Sequence, residues 1–424
     1  MQDRGRKMKI TKMRSILLAG ALSVAVLPSV AAQQAHAVDT LEVWSLQQSE
    51  GPLKEAQAKA VRDFEAANNV KVNFTTYPYV ELRDKLLLAA SSNAAPDVMM
   101  LDQIWVAQYA GAGYIDPIDA RMAAADIKGT DYFPGAWNSG FVKGKQYTVP
   151  FDVGVWGMLY YNQDMFAKAG IKNPPANWDE LIAAAKKLTI GTKQYGIGIF
   201  TGPGDATNCV YDAFVFSAGG TVVNADGKTT GLGTTAAKKA LSTLKTLTAY
   251  GPKGVGSRDE EQAFSLFTSK KTAMAIYGEW GQDTIKARDP NLNYGVALLP
   301  GPKGGKSVGT FGGFNLGISS KSTKKDLAWK FIQYASGAKK QLEITMLTPA
   351  HKTAATTYLN EKRRFPETVF KQLNQALYRP LIANYPDFAD AQRSMLTKVL
   401  SGSESVDAAI KKGVPALNAI LAKS

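Results

Sequence analysis

The segment from Val149 to Phe166 constrains the fold of this chain more than any other. It reads VPFDVGVWGMLYYNQDMF, and Pro150 is expected to end a strand there. The apolar run that follows contains a single acid, Asp152, and one tryptophan, Trp156, before an acidic helix start at Asp164. A lone carboxylate is costly to bury in an ordinary core strand. We therefore expect this segment to cross between two lobes, with Asp152 and Trp156 facing a cleft.

The N-terminus is typical of an export signal. Residues 1–37 contain six Lys/Arg and one Asp, an apolar run from Ile16 to Leu27, and the small-x-small cleavage pattern Ala35-His36-Ala37. A membrane anchor is the alternative, but a spanning helix needs about 20 apolar residues and this run breaks at Pro28. We expect cleavage after Ala37. Because no cysteine lies near that site, a lipid anchor is not expected.

Length and composition limit the class of protein. Cleavage leaves about 387 residues, which suit two domains better than one hydrophobic core. Cys209 is the only cysteine, so it forms no internal disulfide, and we interpret it as a packing residue. The net charge is +14, and residues 1–37 contribute +5 of it, leaving +9. The lysines of the chain are dispersed in pairs such as Lys186-Lys187. This dispersion, together with the expected export, argues against a nucleic-acid partner.

The first third of the mature chain alternates strands and helices. Leu41–Trp44, Val70–Tyr77 and Val98–Leu101 have strand patterns, separated by amphipathic helices over Lys54–Ala67 and Val80–Ala90. This order predicts an α/β fold with a parallel sheet and helices on both of its faces. Ligands bind beyond the carboxyl ends of such strands. That rule selects Trp44, Gln47, Gln48, Asp102 and Trp105.

A second α/β unit follows the crossing segment. Its predicted helices and those of the C-terminal part cover Trp178–Leu188, Asp212–Ala218, Thr235–Tyr250, Asp259–Thr268, Lys325–Tyr334 and much of the chain from Glu367. Its predicted strands cover Gly196–Phe200, Thr272–Tyr277, Tyr294–Leu298 and Phe314–Ile318. The pattern predicts two α/β lobes of similar construction.

Several predicted strand ends combine an aromatic with a polar side chain. The pairs are Trp44 with Gln48, Asp102 with Trp105, Asp152 with Trp156, and Glu279 with Trp280. Sugars need this mixture, because their apolar faces stack on aromatic rings and their hydroxyls bond to carboxylates and amides. Each pair alone is explained more simply by a tryptophan covering the core and an aspartate capping a helix. Together they lie where a two-lobe cleft would collect them.

The acids also permit a catalytic interpretation. Two of Asp102, Asp152 and Glu279 could form the carboxylate pair of a secreted glycoside hydrolase. The chain has no G-x-S-x-G, H-E-x-x-H or P-loop motif, and only His351 remains after cleavage to serve a Ser-His-Asp triad. One histidine and one cysteine supply a metal site poorly, so neither a metal nor another cofactor is expected.

Longer motifs occur in order along the chain and carry a family resemblance. They are Ala95-Pro-Asp-Val98 with Asp102, Gln108-Tyr-Ala-Gly-Ala-Gly113, Asp116-Pro-Ile-Asp119, Tyr147-x-Val-Pro150, Tyr161-Asn-x-Asp-x-Phe166, Asn177-Trp-Asp-Glu-Leu181, Ser217-Ala-Gly-Gly220 and Gly278-x-Trp280. Through them the mature chain resembles the extracellular solute-binding proteins of ABC sugar importers, the family 1 group that includes maltose-binding protein.

The resemblance implies a periplasmic-binding-protein-like fold of class II. Two α/β lobes are joined by crossing hinge segments and close around the ligand. It implies that lobe 1 consists of residues 38–153 plus 308–352, and lobe 2 of residues 154–307 plus 353–424. The segment from Val149 to Phe166 is then the first crossing, with Asp152 and Trp156 at the floor of the cleft.

The resemblance also implies a set of ligand contacts. Carried over by position, they are Trp44, Gln48, Asp102, Trp105, Asp152, Trp156, Asn208, Tyr211, Glu279, Trp280, Gly313, His351 and Phe388. The chain departs from maltose-binding protein in the loop after Trp44 and around residues 207–211, so the specificity of that protein does not transfer.

The implied function is a non-enzymatic, monomeric, periplasmic receptor. It would capture a sugar, such as a maltose-type di- or oligosaccharide, and deliver it to a membrane ABC permease. The glycoside hydrolase is the alternative from another class. A receptor for phosphate esters would need Arg or Lys in the cleft, and the implied positions offer none, although Lys352 lies close by in sequence.

Overall fold

The computed structural model describes residues 39–47 and 52–423. The expected leader, residues 1–37, and the predicted ligand contact Gln48 lie outside the described residues. The chain from Asp39 onward forms one compact unit. We find, among the helices of these described ranges, none with the length and hydropathy of a bilayer span.

Strands and helices alternate along the described chain. The strands are β1 (Thr40–Leu46), β2 (Lys71–Tyr77), β3 (Val98–Asp102), β4 (Phe141–Val142), β5 (Lys145–Gln146), β6 (Thr148–Asn162), β7 (Tyr195–Gly198), β8 (Thr272–Gly278), β9 (Tyr294–Leu298), β10 (Thr310–Ile318), β11 (Thr348–Pro349) and β12 (Leu377–Tyr378). The helices of the N-terminal half are α1 (Pro52–Asn68), α2 (Tyr79–Ser91), α3 (Val106–Gly111), α4 (Asp119–Ala124), α5 (Pro134–Ser139), α6 (Gln163–Lys168), α7 (Trp178–Lys187) and α8 (Ala206–Ser217). Those of the C-terminal half are α9 (Thr235–Thr248), α10 (Glu260–Thr268), α11 (Gly281–Arg288), α12 (Lys325–Ser336), α13 (Ala338–Ile344), α14 (Lys352–Lys362), α15 (Pro366–Asn374), α16 (Tyr385–Ser401) and α17 (Val406–Leu421).

One sheet runs through the molecule in the order β2-β1-β3-β10-β6-β8-β7. β1 pairs in parallel with both β2 and β3, which confirms the predicted parallel sheet. β10 is antiparallel to β3 and to β6, and β6 is antiparallel to β8 and β9. β6 and β10 therefore connect the β1–β3 side of the sheet with the β7–β9 side.

Local sequence signals account for several helix starts. Asn177 caps α7 by accepting from the backbone N–H of Glu180, and two lysines in the last turn oppose the negative end of the helix dipole. Asp259 and Gln262 form a reciprocal capping box at the start of α10. These helices follow the predicted bounds closely because their signals are local.

The long central strand differs from its prediction. Pro150 does not end a strand, because β6 runs unbroken through it. It pairs with Asn315 of β10, beside a register shift between Phe314 and Asn315. A proline has no N–H to donate and is tolerated where the ladder is irregular. The predicted crossing segment is therefore one continuous strand that includes the proline.

Buried apolar side chains form two clusters. The first lies around β1–β3 and β10, and the second packs α7, α8, α9, α16 and α17 against β7 and β8. β6 contributes Val153 to the first cluster and Leu159 to the second. The first cluster also takes in Phe264 and Tyr277, which the sequence assigned to lobe 2. The lobe boundaries accordingly stay a prediction.

One helix begins earlier than the sequence indicated. α8 starts at Ala206, six residues before the predicted start at Asp212, and all of its residues are buried. The region of Asn208 and Tyr211 is thus helical, and its side chains are fixed by packing.

Candidate functional site

A cavity of about 190 Å³ lies between two groups of helical residues. One side is formed by α2 and the 3-10 turn after β3, and the other by the start of α8 and the first turns of α16. The rings of Tyr79, Trp105 and Tyr385 line it, together with the polar side chains of Asp205 and Asn208. Flat rings beside a few polar groups are what a small ligand with both apolar faces and hydroxyls requires.

A buried ion-pair network joins the two sides of this cavity. Arg379 donates from Nη2 to Asp102 at 2.8 Å and from Nη1 to Asp205 at 2.7 Å. The hydroxyl of Tyr79 donates to Asp102 at 2.8 Å, and that of Tyr385 donates to Asp205 at 2.9 Å. The Arg379 side chain is 6% exposed. Two acids on opposite sides of the cavity are therefore bound by one arginine.

Asn208 is a polar residue of the cavity wall and is fixed by its own hydrogen bonds. Its Nδ2 donates to Asp205 and to the carbonyl of Ala389, both at 2.9 Å. Its Oδ1 is buried and has no hydrogen-bond partner within the described part of the chain, and the same holds for Nε of Arg379. Both atoms are enclosed by protein, so neither is exposed to the cavity.

Burial sets the protonation of the network. It raises the pKa of Asp102 above its usual range, while Arg379 and the hydrogen bond from Tyr79 act in the opposite direction. Burial alone lowers the pKa of Arg379, but Asp102 and Asp205 outweigh it and hold that pKa well above its ordinary value. Arg379 is therefore a fixed positive charge between the two carboxyls.

Sequence reasoning predicted Trp105 and Asn208 at this cavity and Asp102 in the network beside it, and it missed the other residues. The missed residues are Tyr79, Asp205, Arg379 and Tyr385. One signal was present, because Arg379 is the only charged residue between Lys371 and Asp387. An isolated charge in such a stretch indicates a specific partner, although it does not say which one.

Asp152 lies in the same cross-strand row as Asp102. Phe314 of β10 is paired with Asp102 on β3 and with Asp152 on β6. Asp152 is 2% exposed, and it accepts from the backbone N–H of Phe314 at 3.1 Å and from that of Leu347. Burial raises the pKa of Asp152 to about 8. Its carboxyl thus satisfies backbone groups at the strand irregularity, and the prediction that it faces a cleft is wrong.

Glu279 is held by a different buried pair. Its Oε2 accepts from Arg363 at 3.0 Å, and its Oε1 accepts from the backbone N–H and the hydroxyl of Thr348 at 3.1 and 2.9 Å. The side chains of Glu279 and Arg363 are both 0% exposed. Both carboxylate oxygens are occupied, so Glu279 links the start of α11 to β11 and α14 and has no path to a ligand.

Two predicted aromatics pack against each other at the ends of β6 and β8. The rings of Trp156 and Trp280 have centroids 4.6 Å apart and planes at 87°, and Tyr277 lies 5.6 Å from each. Both tryptophans are half-buried. The pair presents part of its ring surface outside the core.

Comparison with known proteins identifies the family. The model of the bacterial extracellular solute-binding protein family matches residues 45–342. A putative binding protein of Brucella abortus (strain 2308) is 32% identical over 432 residues, covering 98% of this chain and all of that protein. This chain belongs to the bacterial extracellular solute-binding proteins.

Solved structures share the architecture of this solute-binding protein. The GacH receptor of Streptomyces glaucescens, solved unliganded and with acarbose, is 27% identical, with a TM-score of 0.79 over 91% of this chain and 99% of that one. Maltose-bound MalE3 of T. maritima is 25% identical, with a TM-score of 0.79 over 90% and 100% of the two chains. The periplasmic-binding-protein-like fold class is confirmed.

A further relative is named for its ligand. The diacetylchitobiose binding protein DasA of Streptomyces coelicolor is 31% identical over 310 residues, which cover 71% of this chain and 70% of that protein.

Three predicted contacts of this solute-binding protein lie away from the cavity. Tyr211 is 0% exposed and donates to the carbonyl of Ala237 in α9, and Phe388 is 0% exposed in the second cluster. The predictions for these two residues are wrong because neighbouring helices cover their side chains. Trp44 packs edge-on against Tyr77 of β2, with centroids 5.2 Å apart, but it is half-buried and stays a predicted contact.

Gly313 and His351 lie on neither side of the cavity. Gly313 has a φ of +145°, and a Cβ there would meet the carbonyl oxygen of Asp152 at 2.2 Å. It permits the close approach of β10 to β6. The rings of His351 and Tyr132 pack edge to face, with centroids 5.5 Å apart. Burial lowers the pKa of His351.

Arginines lie at the cavity, although none is among the implied contacts. Arg83 and Arg393 line the cavity, and Arg379 lies in the network beside it. Each forms an ion pair with an aspartate. Across residues 39–47 and 52–423, we see no group of three His, Cys, Asp or Glu side chains arranged to hold a metal ion.

Proposed function

We propose that this solute-binding protein is the sugar receptor of an ABC importer and delivers its ligand to a membrane permease. The observation that carries the proposal is the cavity lined by Tyr79, Trp105 and Tyr385, with the polar side chains of Asp205 and Asn208 in its wall. Relatives and neighbours named for ligands include ones for diacetylchitobiose, acarbose, maltose and alpha-D-tagatose. A sugar is the ligand class that this mixture of rings and polar atoms fits best.

The proposed roles follow from the contacts. The three rings stack on the apolar faces of the sugar, and the carboxylate of Asp205, whose side chain is 13% exposed, accepts a hydrogen bond from a hydroxyl. Arg379 holds Asp205 in place in the cavity wall through a hydrogen bond of 2.7 Å. Preformed charge pairs suit this task, because they need no rearrangement when the ligand enters.

A half-exposed aromatic surface adds a second set of contacts to the proposal. Trp156 and Trp280 form a perpendicular pair at the ends of β6 and β8. Gly313 and His351 remain predicted contacts. Trp44 also remains a predicted contact, whereas Tyr211, Glu279 and Phe388 do not take part, and Asp152 acts on the backbone instead of the sugar.

Closure about the central strands is part of the proposal. β6 and β10 cross the middle of the sheet. The proposal keeps the expected lobes, residues 38–153 plus 308–352 and residues 154–307 plus 353–424. Ligand binding then narrows the cleft between them. Small-angle scattering with and without a saturating sugar measures this, and an unchanged radius of gyration would contradict it.

We further propose that the protein acts as a free periplasmic monomer without catalytic activity. The hydrolase alternative is weakened because the carboxyls of Asp102, Asp152 and Glu279 are all bound by protein donors and at most 4% exposed. Prolonged incubation with oligosaccharides, followed by chromatography, tests it. Turnover that disappears in Asp152→Asn would overturn the receptor proposal.

A sugar screen tests the receptor function directly. Thermal-shift measurements across mono-, di- and trisaccharides should give at least one stabilising ligand, because ligand at 100 times its Kd adds about 2.7 kcal/mol. Calorimetry on Asn208→Ala should then show weaker binding of that sugar. Asn73→Ala, which changes an exposed asparagine on β2, is the matched control. Equal affinity of the two variants would contradict the assigned site.

A further inference from the structure

The excess positive charge is confined to one part of the chain. Residues 154–307 and 353–424, the proposed second lobe, contain 27 Lys/Arg and 18 Asp/Glu, a net charge of +9. Residues 38–153 and 308–352 contain 17 of each and are neutral. A charge imbalance between two parts of a chain favours a surface that meets an anionic partner.

Three segments that are far apart in the sequence meet where β7 and β8 begin. The N–H of Tyr195 donates to the carbonyl of Lys271 at 3.0 Å, and that of Gly196 donates to the carbonyl of Tyr250 at 2.9 Å. Oγ1 of Thr189, just after α7, accepts from the N–H of Gly196 at 3.0 Å. We call the surface of these segments the basic edge, and it comprises residues 186–195, 249–254 and 269–273.

The segments of the basic edge contain lysines and no acid. The lysines are all exposed, and they are Lys186, Lys187, Lys193, Lys253, Lys270 and Lys271. Neighbouring elements bring Asp289, which pairs with Lys270 at 3.1 Å, and Asp164, which accepts from Asn293 at 2.7 Å. Lysines that are dispersed in the sequence therefore gather in the fold on one surface of net positive charge.

An apolar side chain lies among these lysines. Ile190 is 58% exposed, and its backbone bridges to Gln194 across a turn that contains Gly191 at a φ of +52°. Tyr195 and Tyr250 of the same edge are half-buried. A phospholipid surface fits this combination, because its phosphates pair with lysines while an exposed apolar side chain enters the boundary with the acyl chains. A soluble anionic polymer would use the lysines alone.

The basic edge and the cavity lie at opposite ends of the same strands. The lysines precede the first residues of β7 and β8, whereas Asp205 of the cavity follows the end of β7 and Trp280 follows the end of β8. β8 has seven residues, so its two ends are about 20 Å apart. A partner at the basic edge therefore does not cover the cavity.

We infer that the basic edge binds the surface of a membrane rich in anionic phospholipids. The inference goes beyond the proposed function and does not depend on the sugar site. Cys209, the only cysteine of the sequence, is buried and cannot carry a lipid. Attraction by charge then keeps the protein at the membrane reversibly, without a covalent anchor.

Sedimentation with vesicles tests the inference on the mature protein. Wild type should bind vesicles of phosphatidylglycerol and phosphatidylcholine in equal parts, and should not bind pure phosphatidylcholine. Binding should be lost as salt rises to about 1 M, where the Debye length is about 3 Å. The Lys187→Gln/Lys193→Gln/Lys253→Gln/Lys271→Gln variant should bind at least about tenfold more weakly, because each lysine at an anionic surface contributes roughly a fivefold factor.

A matched variant separates the basic edge from net charge. Lys145→Gln/Lys321→Gln/Lys330→Gln/Lys339→Gln removes the same charge from exposed lysines outside the edge, and should bind vesicles within about twofold of wild type. Ile190→Ser should weaken binding by about threefold or more at unchanged charge. All three variants should keep the thermal unfolding midpoint of wild type, since the changed side chains are exposed.

Each contrary result overturns a stated part of the inference. Equal losses in the two quadruple variants would replace the basic edge by attraction to the whole protein. Wild type that does not bind anionic vesicles, or that binds neutral ones as tightly, would remove the membrane as the partner. Unchanged vesicle binding by Ile190→Ser, or soluble polyglutamate bound as tightly as the vesicles, would overturn the lipid assignment. None of these results changes the sugar screen, so the receptor proposal stands or falls separately.

Discussion

Arg379 donates to the carboxylate of Asp102 across 2.8 Å, and their side chains are only 6% and 5% exposed. The same guanidinium also binds Asp205. Because charges buried this deeply are tolerated only when paired, the arginine keeps two acids stable on opposite sides of the cavity.

Removing Arg379 should therefore destabilise the fold strongly. Arg379→Met leaves Asp102 and Asp205 buried without a counter-charge, and loss of one partner of a buried pair costs about 3–5 kcal/mol. Urea denaturation should show that loss in the free energy of unfolding. Arg288→Met breaks the exposed pair with Glu261 and should cost about 0–1 kcal/mol. Similar losses for both variants would contradict the buried network.

Asp152 should make stability depend on pH in a defined direction. Its pKa of about 8 in the folded state lies above the ordinary value of 3.8, so between these values the unfolded chain has lost a proton that the folded protein retains. This group therefore stabilises the fold least at high pH, and its contribution falls by about 1.4 kcal/mol per pH unit in that window.

Asp152→Asn isolates this effect, because an amide resembles the protonated carboxyl. The unfolding free energy of the variant minus that of wild type should rise from about pH 5 to about pH 7. All other groups titrate alike in both proteins, so their contributions cancel in this difference. Denaturation series at several pH values measure it. A difference that does not change with pH would mean that Asp152 is ionised in the fold.

Elements with local signals were predictable from the sequence. Alternating apolar residues gave β1–β3, and their parallel order followed from the intervening helices. Asn177 and Asp259 marked the starts of α7 and α10 through their capping bonds. Such features depend on residues close together in the chain, and the expected bounds differ from the structure by few residues.

Features that depend on distant partners could not be predicted. Arg379 finds its two acids 277 and 174 residues away in the chain, and Arg363 finds Glu279 84 residues away. No spacing rule encodes such pairs. The prediction that Pro150 ends a strand was wrong for the same reason. The irregular pairing that accommodates the proline is formed with the distant strand β10. Of the residues that line the cavity, Trp105 was predicted because it follows a strand end, and Asn208 was implied by the family resemblance.

Gly313 should tolerate no side chain. Its φ of +145° disfavours any other residue, and an added Cβ would lie 2.2 Å from the carbonyl oxygen of Asp152, a backbone atom that cannot swing away. We expect Gly313→Ala to cost at least about 1–3 kcal/mol of stability. Gly111→Ala is the control, because nothing lies within 4 Å of its Cβ and it ends α3. That substitution should be neutral or stabilising in the same thermal denaturation experiment, and a loss equal to that of Gly313→Ala would contradict the argument.

Trp280 is a predicted ligand contact, and comparison with a tryptophan buried in the core tests this role. Its ring packs perpendicular to Trp156 and is half-buried, so part of its surface is free to stack on a sugar. Trp280→Ala should weaken binding of the sugar found in the screen by roughly 0.5–1.5 kcal/mol beyond the lost contact area. Trp178→Ala removes a buried tryptophan that stacks on Phe214, and should lower stability while leaving affinity unchanged. Calorimetry on both variants decides the matter, because unchanged affinity in Trp280→Ala would exclude the Trp156–Trp280 pair from the binding surface.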